Sequence, residues 1–68
     1  MSEWWTAVQN RLERLANAEY KSQLAAWLKA GRSKRTFRYS PPEWHRDAVA
    51  ALGRNDEEGA KLALLNVG

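Results

Sequence analysis

Cysteine is absent from this 68-residue chain, and histidine occurs once, as His45. The first absence excludes disulfides and every thiolate metal site, and a single histidine cannot build an all-protein zinc cage. No metal and no cofactor is therefore expected. Also missing are a glycine-rich phosphate loop, a His-Glu-x-x-His pair and a cysteine nucleophile. His45 and Asp47 stand two apart, so on a helix they do not face each other. The inventory reads as non-enzymatic. Long apolar runs are lacking too: Ala48 to Leu52 and Leu62 to Leu65 are far too short to span a bilayer. The opening Met-Ser-Glu-Trp-Trp has neither the basic start nor the apolar core of a signal peptide. A soluble, cytoplasmic protein is the expectation.

Few residues are available for a core. The chain has room for one domain, residues 1–68, and small chains usually need disulfides, a metal or a partner subunit for a secure margin. With the first two excluded, the sequence points to oligomerisation or docking on another protein. Four tryptophans strengthen that reading, since indole rings favour interfaces where large apolar area is buried with one polar handle. The net charge of +3, from 11 basic and 8 acidic residues, is a mild bias, compatible with nucleic acid without diagnosing it.

Between Glu3 and Ala30 no glycine or proline interrupts a run of good helix formers. Ser2 is a suitable N-cap, Glu3 suits the helix dipole, and Gly31 offers a left-handed stop. One long helix is predicted, with a break near Asn17 as the alternative. Its apolar positions form two stripes. Trp4, Trp5, Val8, Leu12, Leu15 and Ala16 share one face; Tyr20, Leu24, Trp27 and Leu28 share another, rotated by about 120°. Glu19 falls within the first. The C-terminal half is expected to pack on the rest of the chain, leaving residues 4–16 to project. Trp5, Val8, Leu12 and Leu15 then form a homodimer interface, because such a patch is rarely left in water.

After Gly31, Thr36-Phe37-Arg38-Tyr39 alternates as a short extended connector. Ser40-Pro41-Pro42-Glu43 matches a capping box, with Tyr39 and Trp44 at the positions of a hydrophobic staple. Phe37, Tyr39, Ser40, Glu43 and Trp44 are accordingly read as a structural clamp that starts a helix ending at Gly53. On that helix Trp44, Ala48, Ala51 and Leu52 share a face. Asn55 with Glu58 offers a second capping box for a last helix, whose apolar residues surround it on most sides.

From Gly31-Arg32 through Ser40-x-x-Glu43-Trp44 to Val49 and Leu52, the pattern resembles the strand-to-second-helix passage of small head-completion proteins of tailed phages. The first hairpin strand of that family has no counterpart here and the first helix is longer, so the resemblance implies no function for this chain.

The fold expected is all-α: a long N-terminal helix, a short extended connector, and two short C-terminal helices packed on it, as a dimer. The function expected is binding of a larger protein as an adaptor, assembly factor or inhibitor, through Trp4, Trp5, Arg32, Lys34, Arg35 and Arg38. The rival is nucleic-acid binding by the basic connector, residues 32–38. There Phe37 and Tyr39 could stack on bases, were they not needed as core. Asp56, Glu57 and Glu58 offer an acidic counterpart within or between subunits. A membrane-surface helix is disfavoured, because its stripe would be continuous and bordered by lysine and arginine.

Overall fold

The computed structural model describes residues 3–67. Ser2, the expected first N-cap, lies outside the described residues. Helix α1 runs unbroken over Glu3–Lys29, 27 residues, and passes Asn17 without interruption. Gly31 ends it with φ +81°, and the reversal is closed by Gly31 N–H to Leu28 O (2.9 Å) and Arg32 N–H to Trp27 O (3.3 Å). This is the double bond of a Schellman stop. A Cβ at position 31 would meet nothing within 4 Å, so only the left-handed backbone requires glycine here.

A single 3-10 turn, Lys34–Thr36, follows, with Ser33 Oγ accepting from Arg35 N–H at 3.2 Å. The chain then runs extended, and the predicted alternation holds: Phe37 and Tyr39 are half-buried, Arg38 and Ser40 exposed. This segment doubles back along α1. Phe37 lies edge-on to Trp27 (5.9 Å between centroids) and to Tyr20 (5.4 Å). Helices α2 (Glu43–Gly53) and α3 (Glu57–Leu65) complete the fold. Among the described residues there is no strand.

The doubling back decides where the core forms. By the time α2 begins, the chain has returned past Tyr20, so α2 and α3 pack on the N-terminal half of α1. The expectation that they pack on its C-terminal half is thereby corrected. Val8 and Leu12 join Trp44, Ala48, Ala51, Leu52, Ala60, Ala63 and Leu64 in one buried cluster, with Trp4, Trp5, Leu15 and Val67 packed against it. Trp5 Nε1–H donates to Leu52 O at 3.1 Å, tying the start of α1 to the end of α2. Four of the nine buried residues are alanines, which let the helices approach closely but bury little area.

Neither capping box forms as read. Helix α2 starts at Glu43 with Pro42 at the N-cap and no side-chain cap bond. Ser40 is engaged elsewhere, its N–H donating to Gln23 Oε1 (2.9 Å) and its carbonyl accepting from Gln23 Nε2 (2.8 Å). At α3 the cap is Asp56, not Asn55: Asp56 Oδ1 accepts from Gly59 N–H at 3.0 Å. Asn55 takes φ 58° and closes α2, through its own N–H to Leu52 O (3.1 Å) and Asp56 N–H to Ala51 O (2.9 Å). Asparagine is one of the few residues that tolerates this conformation, which removes it from capping duty.

Candidate interaction surfaces

The molecule measures 43 × 19 × 16 Å, with α1 as its long axis. At one end α1, α2 and α3 form the core; at the other, α1 carries only the connector. Trp5 and Trp27 mark the two ends, about 33 Å apart at 1.5 Å per helical residue.

The proposed dimer stripe belongs to the core end. Val8 and Leu12 are each 6% exposed inside their own chain, and Leu15 and Trp5 are half-buried against the same cluster. Val8 and Leu12 are thus corrected from an intermolecular to an intramolecular role: the connector returns α2 and α3 to this face. Trp4 is likewise half-buried against the core, and the indole nitrogen of Trp5 is consumed by Leu52.

The clamp residues divide. Phe37 and Tyr39 do hold the connector on α1, Tyr39 lying 6.1 Å from Tyr20 between ring centroids. The staple partner of Tyr39 is corrected from Trp44 to His45: Tyr39 Oη and His45 Nδ1 are 2.9 Å apart, with rings tilted at 5.7 Å. Trp44 turns into the core and also stacks against His45, at 5.7 Å between centroids. Burial, then the nearby charge of Glu19, pushes the Tyr39 phenol above its ordinary pKa of 10.0. Glu19 sits where the two stripes of α1 meet and accepts from Gln23 Nε2 at 3.0 Å. Glu43 stands exposed in the first turn of α2. Gln23 is the residue that sequence reasoning missed, because nothing in an ordinary polar helix position announces that its amide will pair with a distant main chain.

Arg32, Lys34, Arg35 and Arg38 are all exposed, and among the described residues none pairs with a carboxylate. The acidic patch does not reach them within the chain. Asp56 lies 3.6 Å from Arg54 and Glu57 lies 2.6 Å from Lys61, both at the core end. Arg32 sets its guanidinium 4.6 Å over the Trp27 ring, while Trp27 Nε1–H donates to Ser33 O at 2.7 Å. A further signal was present in the sequence but went unread. Residues 20–42 hold six cations, Lys21 and Lys29 included, and no carboxylate. The other 5 basic residues face all 8 acidic ones, so +6 at one end opposes −3 in the remainder.

The apolar surface also lies where sequence reasoning did not place it. Helix α3 buries Ala60, Ala63 and Leu64 but leaves Leu62 59% and Leu65 74% exposed. Leu65 borders an open groove between α1 and α3, lined by Ala7, Val8, Arg11, Lys61 and Leu64. Val49, 52% exposed, borders a second groove between α1 and α2.

No protein-family model, no curated protein and no solved structure matches the chain.

Proposed function

We propose that this protein is a non-enzymatic interaction module that self-associates and binds a larger protein, as an adaptor, assembly factor or inhibitor, through the apolar surface of α3. The observation that carries the reading is the pair Leu62 and Leu65, left exposed on a helix whose own chain offers only a small, alanine-rich core. Covering each leucine contributes about 1–2 kcal/mol of apolar transfer free energy. The electrostatics favour this face. Two copies meeting through the cationic end would oppose +6 to +6, whereas copies meeting through the α3 end oppose only −3 to −3, a weaker repulsion.

Sedimentation of the wild type and of Leu65→Asp tests the reading. The wild type is expected to sediment above monomer mass at about 100 μM, a concentration that detects weak association. Leu65→Asp, folded by circular dichroism, is expected to be monomeric and to lose a protein captured by the wild type from the source cell. A monomeric wild type, or an oligomer unmoved by Leu65→Asp, refutes the assignment.

A further inference from the structure

We propose that the cationic end of the molecule is a binding site for single-stranded nucleic acid, with phosphates on Lys34, Arg35 and Arg38 and an unpaired base in the groove walled by Trp27 and Phe37.

Four features converge on it. The first is the field: six cations without a carboxylate over residues 20–42 concentrate positive potential at one end of an elongated molecule. The second is availability. The side chains of Lys34, Arg35 and Arg38 are exposed and make no hydrogen bond or ion pair among the described residues. The third is the groove between the connector and the last turns of α1. Trp27, Phe37, Ala26 and Ala30 line it, with Arg32 and Arg38 also on its walls. An aromatic-walled groove beside cations that track a backbone is the chemistry by which unpaired strands are held. The fourth is preorganisation. Gln23 fixes the Ser40 main chain, Trp27 fixes Ser33, and Ser33 caps the 3-10 turn, so the cations project from an anchored segment.

The same features select among polyanions. A duplex offers phosphates but no unpaired base for the groove. The connector cations, moreover, do not lie along a helix that could enter the major groove. An acidic peptide matches the charge but need bring no ring to lay against the wall that Trp27 and Phe37 form. A single strand uses both halves of the site. Tyr39 takes no part, being held by His45 and Tyr20.

The test measures anisotropy with labelled oligothymidylate and oligouridylate of about 12 nucleotides, within the site sizes of small single-strand binders. A duplex of equal length and polyglutamate of equal charge serve as comparisons. Single strands should bind tightest. With three or four phosphates neutralised, affinity should fall roughly 20- to 50-fold between about 50 and 200 mM salt. Arg35→Glu with Arg38→Glu should remove binding and flatten the salt dependence while leaving the circular dichroism unchanged. Trp27→Leu, folded by circular dichroism, should weaken binding at least tenfold, because it removes a base contact and also releases the Ser33 carbonyl that anchors the cationic segment. Leu65→Asp should leave binding unaltered, which separates this site from the protein-binding face. No single-strand binding at the lower salt, duplex or polyglutamate binding as tightly as single strands, or retention of binding by the double charge reversal would each overturn the proposal.

Discussion

Replacing Leu12 by alanine puts the fold to its sharpest test. Leu12 is 6% exposed in the cluster formed by α1, α2 and α3. Truncating a buried leucine costs about 2–5 kcal/mol, the higher values arising where the site cannot collapse. Leu12 borders the open groove between α1 and α2, beside Trp5, Ala16 and Leu52, so part of the gap can relax and about 2–4 kcal/mol is expected. A 68-residue domain holds roughly 3–10 kcal/mol in total, so this one change takes a large share of it. At about 4–8 °C per kcal/mol for a domain of this size, Tm should drop by roughly 8–32 °C. Thermal melts followed by circular dichroism read the shift. Leu28→Ala is the control: Leu28 is 46% exposed on the other stripe of α1 and should cost under about 1 kcal/mol. Because Leu12 packs within its own chain, its loss should not depend on protein concentration; a residue at a subunit interface would show such dependence. A larger cost for Leu28→Ala than for Leu12→Ala would mean that the core lies on the other half of α1, and the packing described above would be wrong.

Two further outcomes follow from the local geometry. Ser40→Ala should change stability by less than about 0.5 kcal/mol, since only the Ser40 main chain is used, whereas Asp56→Ala should cost about 0.5–2 kcal/mol by uncapping α3. Denaturant titrations would expose a reversed order, and with it a capping box at Ser40. Tyr39 ionises above its ordinary value of 10.0, so the fold favours the neutral phenol. Its stabilising contribution is full below pH 10 and is lost as pH rises through the raised pKa. Tyr39→Phe should therefore flatten the alkaline fall in stability, and an identical alkaline slope in both proteins would remove Tyr39 from that role.

Much of the local structure was legible from residue types. An unbroken stretch from Glu3 to Ala30 with a glycine after it favours one helix over a break near Asn17, and α1 is continuous, with Gly31 taking the left-handed stop. The alternation of Phe37 and Tyr39 and the buried face of Trp44, Ala48, Ala51 and Leu52 were equally readable. Which stripe of α1 meets which neighbour was not. That depends on whether the connector loops out or lies flat along α1, and the contacts deciding it come from residues far apart in sequence: Gln23 with Ser40, Tyr20 with Phe37, Trp5 with Leu52. Ser40 and Asn55 show the competing local choices. Each carries a side chain able to cap a helix, but Ser40 is held by Gln23 and Asn55 is spent on the preceding turn. The candidate surfaces shared this fate, because an apolar residue announces burial without naming the element that buries it.

The anchorage of the connector has a consequence for how such a sequence can change. Gln23 grips the amide and carbonyl of residue 40, and Trp27 grips the carbonyl of residue 33. These are groups that every non-proline residue supplies, at least one of them even proline. The path of the segment is thus largely independent of the side chains displayed at 34, 35 and 38, and mutation can rewrite that display while the backbone beneath it stays put. Drift is tolerated on the display and penalised at Gln23 and Trp27, two positions in the helix opposite that make no show of themselves.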